Sequence, residues 1–173
     1  DQPQLARLIV NRLNRFAPYD CAVFWTCSRA GRIYNVTISG VEPGKDARQI
    51  LTWGTQVARW LARSGLGNAQ IQPDMIDAQK KLTDWPSNIA KSGLYVPLTG
   101  HDARLRGGIL LLRAAPWAQP VRVMMDQLGE AAAYTVRALE LGVHGRKSRR
   151  VSWVGLASAA ALLAVLVGSF FIP

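Results

Sequence analysis

GLYVPLTGHDARLRGGILLLRA, residues 93–114, contains two strand-like runs joined by a polar turn. Leu94–Leu98 is rich in bulky and aromatic side chains, and the turn that follows carries Gly100, His101 and Asp102, so the stretch predicts a β-hairpin. Its return run, Gly107–Leu112, is apolar at every position. A strand without a polar face has nothing to show water, so this one is expected at the centre of a sheet, covered on both sides.

Outward from that hairpin the elements follow in a consistent order. Residues 21–40, CAVFWTCSRAGRIYNVTISG, repeat the pattern, with two runs around Arg29-Ala30-Gly31. Ahead of them, Leu5, Leu8, Ile9, Leu13 and Phe16 recur at helical spacing until Pro18. Between the hairpins, residues 47–65 predict a second helix, with Asp46 as N-cap and Gly65 as its close. Residues 66–93 are polar, hold two prolines and offer only weak helical segments. Residues 119–142 predict a long last helix, with Pro120 suited to its first turn. Helix, hairpin, helix, variable loop, hairpin, long helix describes an α+β domain, a small antiparallel sheet with helices on one face.

The final residues are of another kind. From Trp153 to Ile172 there are twenty residues without Asp, Glu, Lys, Arg, His, Asn or Gln. As a helix they would extend about 30 Å, the thickness of a bilayer's hydrocarbon core. Ser158 and Ser169 can bond back to helix carbonyls. Arg146, Lys147, Arg149 and Arg150 precede the run, and such clusters stay on the cytoplasmic side. They also suit anionic headgroups, and Trp153 suits the interface. Residues 151–173 are therefore expected to form a transmembrane helix and 143–150 a basic juxtamembrane linker, with residues 1–142 a cytosolic domain at a bacterial inner membrane. Gly155 and Ala159 form a small-residue pair of the kind that aids helix association. The chain opens on Asp1 rather than Met, as a piece of a longer protein would.

The bulk charge argues for little beyond this. The net charge is +10, which raises nucleic acid as a partner. Four of those charges are the juxtamembrane cluster and the rest are scattered, with no recognition helix or aromatic–basic strand motif, so no nucleic acid is expected. Cys21 and Cys27 stand six residues apart in one strand, on one face but about 20 Å from each other, too far for a disulfide or a shared metal. They read as small buried residues.

No catalytic constellation is evident. His101 and His144 are the only histidines, and neither has a partner at triad or ligand spacing. Asp74 and Asp77 fit one solvated helix edge, and the glycines lack phosphate-loop spacing. The chain is not expected to be an enzyme, nor to carry a cofactor or metal.

Two patterns remain. Trp25, Tyr34, Trp53, Trp60 and Tyr95 fall on or near the sheet, where they are either core or the lining of an apolar ligand pocket. In the last helix Met124, Leu128, Ala131, Thr135 and Leu139 belong to an apolar stripe wider than one sheet contact needs, so part of it suits a second copy of the chain.

Over residues 5–141, LARLIVNRLNRF, then CAVFWTCSRAGRIYNVTISG, then SGLYVPLTGHDARLRGGILLLRAAPW resemble a GAF domain. That resemblance implies a helix before the first hairpin, a closing helix after the second, and either small-molecule sensing over the sheet or dimerisation through the terminal helices. The chain has neither an Asn-Lys…Asp signature of the cyclic-nucleotide type nor a cysteine in a bilin-attachment context. The layout of cytosolic domain, basic flank and single span also resembles the N-terminal part of bacterial membrane-fusion (periplasmic adaptor) proteins of the HlyD type, which implies a transporter or secretion-system partner. The expectation is a dimeric, membrane-anchored interaction or sensory module of a transport or secretion adaptor. The alternative is a ligand-responsive signalling receptor whose output domain lies outside these residues.

Overall fold

Strand β1, Cys21–Cys27, is buried at all seven positions. The computed structural model describes residues 14, 17–28, 30–42, 44–78 and 82–144, and the chain divides into two compact units, Asp1–Val136 and Arg137–Pro173. β1 pairs with β2, Ile33–Ser39, as the first hairpin. The second hairpin is β4, Ser92–Thr99, and β5, Leu105–Arg113, and a short β3, Ala69–Ile71, joins β4. The sheet order is β2-β1-β5-β4-β3, antiparallel throughout, which puts β5 at the centre as its apolar run requires.

Between β1 and β2 the register slips opposite Trp25, and Asn35 takes φ 52°. Asparagine tolerates this left-handed conformation better than most residues.

Three helices are described: α1, Lys45–Ser64; α2, Pro73–Asp77; and α3, Gln119–His144. Ile50, Trp53, Val57, Ala58 and Leu61 of α1 cover one sheet face, over Val23, Trp25, Tyr95, Leu110 and Leu112. Met125, Ala133 and Val136 of α3 cover the other, over Ala22, Phe24, Leu94, Val96, Ile109 and Leu111. The helices thus lie on both faces, which corrects the one-faced arrangement expected from element order. β1 and β5 are apolar on both sides, and only cover on both sides removes that surface from water.

Two details also differ from the sequence expectation. β3 falls in the stretch expected to be loop, because three residues are too few to show an alternation, although Ile71 is fully buried. Asp46 is not the cap of α1. Gly44 precedes the helix without a side-chain bond, and Asp46 sits in the first turn, where a carboxylate still faces the positive end of the helix. Gly65, at φ 68°, closes the helix as expected.

Among the described residues no helix is long and apolar enough to cross a membrane. The expected N-terminal helix, apart from Asn14 and Ala17, lies outside the described residues, as do the expected span 151–173, the cluster Arg146, Lys147, Arg149 and Arg150, and Trp153.

Candidate functional site

The face beneath α1 is where the sequence-selected aromatics converge. Trp25 and Tyr95 come from β1 and β4, on either side of β5, and their rings stack with centroids 5.8 Å apart and planes 7° from parallel. They meet because Gly108 of β5, the register partner of Trp25, leaves the space open. A Cβ there would lie 2.4 Å from a carbon of the Trp25 ring. Trp53 descends from α1 and meets Trp85 edge-on, with centroids 5.1 Å apart. Trp85 comes from the connection between α2 and β4, and its indole N–H donates to the Ala90 carbonyl. Trp60, one helix turn beyond Gln56, is half-buried and packs at the margin of this cluster.

Tyr34 does not join them. It pairs with Thr26, whose hydroxyl donates to the Tyr34 carbonyl, and both lie across the sheet from Cys27 and Ile33. Four of the five aromatics expected near the sheet therefore share the α1 face, and Tyr34 belongs to the opposite one. Trp85 is the member the sequence reading missed. The available signal was a tryptophan followed by proline inside a polar stretch.

The chemistry of this face is that of an apolar core holding two indole donors. Trp25 and Trp53 are 0% and 1% exposed, and neither indole N–H has an acceptor among the described residues. Buried donors are normally paired, so these two stand out in the core. Burial, then the charge of nearby Cys27, pushes the Tyr95 phenol well above its usual range. Cys21 is pushed up to about 11, first by burial and then by Asp20. Cys21 and Cys27 form no disulfide and are both buried on this face, and Cys21 is a protonated, poorly nucleophilic thiol at neutral pH.

On the opposite face α3 approaches closely because Gly129 has no side chain. A Cβ there would fall 2.8 Å from a Val96 methyl and 3.0 Å from the Pro97 carbonyl oxygen. Of the residues expected to pair helices, Met124 and Leu128 already pack on the sheet. Ala131 and Thr135 are half-buried on the same shoulder, and the Thr135 hydroxyl donates back to the Ala131 carbonyl. The Leu139 side chain lies outside the described residues. Among the described side chains of α3, the exposed large apolar groups are Val123 and Tyr134, 53% and 43% exposed.

Polar contacts fasten the start of α3 to the β3 edge. Gln70 donates to the Trp117 carbonyl at 2.7 Å and Asn68 to the Arg122 carbonyl at 2.9 Å. The Trp117 indole donates to Ser92, and the Arg113 guanidinium lies 4.0 Å over the Trp117 ring while donating to the carbonyls of Ala115 and Pro116.

The two sequence neighbours His101 and Asp102 are engaged separately. The Asp102 carboxylate pairs with Arg106 at 2.8 Å, whereas the His101 ring meets Tyr134 edge-on at 5.4 Å. Among the described residues no three His, Cys, Asp or Glu side chains come together as metal ligands.

No family model and no curated protein matches the chain. Solved structures with the same fold are GAF domains. The GAF-B domain of DevS from Mycobacterium smegmatis superposes with a TM-score of 0.55 at 17% identity, covering 86% of this chain and all of that one. A GAF domain/HD domain protein from Geobacter sulfurreducens gives 0.54 at 12% identity, covering 80% and 93%. The GAF domain of a two-component sensor histidine kinase from Bacillus halodurans gives 0.51 at 13% identity, covering 82% and 97%. The sheet, the helices on its two faces and the closing helix are thus those of a GAF fold.

Proposed function

We propose that this chain is a membrane-anchored sensory or interaction module built on a GAF fold, with its folded domain on the cytoplasmic side of a bacterial inner membrane and its closing helix as the route to the membrane. The observation that carries this function is α3. It is a single helix from Gln119 to His144, locked to the sheet at Gly129, and Gly142 does not interrupt it. The sequence that follows supplies the basic cluster 146–150 and the uncharged run 153–172. A domain whose closing helix is followed in the sequence by a membrane anchor is suited to report strain, rotation or docking. That GAF domains of sensor kinases share the fold supports a sensory role. No catalysis is assigned, since His101 and Asp102 face different partners and Cys21 is held protonated. Alkaline extraction of membranes carrying the full chain, followed by protease added from the cytoplasmic side, tests the proposal. Retention in the membrane with cleavage of the domain is the expected result.

The narrower setting we propose is the cytoplasmic part of a transport or secretion adaptor, working as a homodimer or higher oligomer. It rests on the order of domain, basic flank and apolar run in the sequence. Co-purification of a transporter with the detergent-extracted chain would support it, and extraction of the chain alone would count against it.

One observation favours a second function, a ligand-responsive receptor. The unpaired indole donors of Trp25 and Trp53 lie on the same core face, beneath α1. A small molecule that accepts a hydrogen bond from either donor would raise the melting temperature, because it binds only the folded state.

A further inference from the structure

The topology gathers positive charge at one end of the sheet. The β1–β2 turn and the β4–β5 turn both fall there. α1 starts after β2 ends and meets Val23 at Gly54; the nine residues from there to Arg63 rise about 13 Å, as far as β1 extends from Val23 to Cys27. Arg32 of the first turn, Arg104 of the second and Arg63 of α1 are all exposed. None of the three makes an ion pair among the described residues. The one acid of these segments, Asp102, is already paired with the nearly buried Arg106. From Asp46 to Asp74 the sequence has no acid, only Arg48, Arg59 and Arg63. The acids Asp20, Glu42 and Asp46 lie toward the opposite end, before β1 and after β2. Asp126 and Glu130 on α3 lie a turn or more back from Tyr134, which touches the β4–β5 turn through His101. That contact places the part of α3 around Tyr134, within the first unit, beside the β4–β5 turn.

We propose that this end of the domain docks on anionic lipid headgroups. The inference rests on the membrane-anchored function proposed above, which brings the surface to a bilayer. Two features select lipid as the occupant. The arginines come from three separate segments and are spread over an end of the domain, matching a planar field of charge. In the sequence, α3 is also followed by a second basic cluster, 146–150, and then by the apolar run. Docking would hold the domain in one orientation and couple its placement to surface charge. At about one order of Coulombic gain per one to two basic residues, three arginines favour the docked state roughly a hundredfold, and salt weakens it within a Debye length of about 8 Å.

The test uses the full chain reconstituted in nanodiscs of phosphatidylcholine alone or mixed with phosphatidylglycerol, read by amide hydrogen exchange. Exchange in the turns 28–32 and 100–104 is expected to slow in the anionic discs only. The protection should fall with added salt and disappear in the triple variant Arg32→Gln, Arg63→Gln, Arg104→Gln, whose side chains are exposed and leave the core intact. Equal exchange in both discs, with the chain stably inserted, would overturn docking and leave the anchored function standing. A chain stripped from discs by alkaline washing would overturn both. Protection in neutral discs on adding duplex DNA, with none from anionic lipid, would assign this surface to nucleic acid and overturn the proposal.

Discussion

Trp25 and Gly108 are register partners on neighbouring strands, and a Cβ added at Gly108 would sit 2.4 Å from the Trp25 ring. The ring cannot withdraw, since Tyr95 stacks against it and α1 covers it. Gly108→Ala should therefore destabilise the domain by roughly 1–3 kcal/mol, the usual range for overpacking a filled core. Gly67→Ala, where a Cβ meets nothing within 4 Å, should be neutral or slightly stabilising. Urea unfolding of both variants checks the contrast, which should appear as a lower midpoint for Gly108→Ala with an unchanged slope.

Trp53→Ala should cost about 3–5 kcal/mol, because it empties a fully buried site and strips Trp85 of its edge contact. Trp60→Ala should cost clearly less, its ring being only half-buried. Thermal denaturation of the pair measures the difference, and equal losses would mean the α1 face is organised otherwise.

Stability should fall on the alkaline side. Cys21 holds its proton up to about 11 against an ordinary 9.0, and Tyr95 is raised above its ordinary 10.0. Above pH 9 the unfolded chain therefore binds fewer protons than the folded one, and the free energy of unfolding declines as pH rises. The contribution of Cys21 is intact below pH 9 and lost by about pH 11. Denaturant melts from pH 8 upward should show this slope, and Cys21→Ala should flatten its earlier part.

Removing the β3 contacts should free the start of α3. Asn68→Ala with Gln70→Ala deletes the donors to Arg122 and Trp117, at roughly 1 kcal/mol each. Hydrogen exchange should quicken in residues 117–124 while the centre of β5 stays protected. Uniform quickening would show a loss of global stability instead of a local latch.

Much of this architecture can be read from the sequence because its strongest signals are local. The apolar run Gly107–Leu112 predicts a central strand, and β5 is central. Ala30-Gly31, Gly65 and Pro120 punctuate the chain where the structure turns, closes α1 and opens α3. What the sequence does not reveal depends on distant partners. Tyr34 is indistinguishable from Trp25 in composition, but the register slip at Asn35 and the pairing with Thr26 put it on the other face. Trp85 is hidden in a polar stretch because its fate is set by Trp53, thirty-two positions away. The apolar stripe of α3 looks free in one dimension, yet Met124 and Leu128 are half-buried, packed in part against the core of the sheet face.

The central claim, a GAF-fold domain held at a membrane through its closing helix, is tested most directly on membranes from cells that make the full chain. They are washed at alkaline pH, and protease is then added to vesicles of each orientation. The account predicts that the chain stays with the membrane and that its domain is cut only when the cytoplasmic face is exposed. Release of the chain by the wash, or cleavage from the opposite face alone, would contradict it.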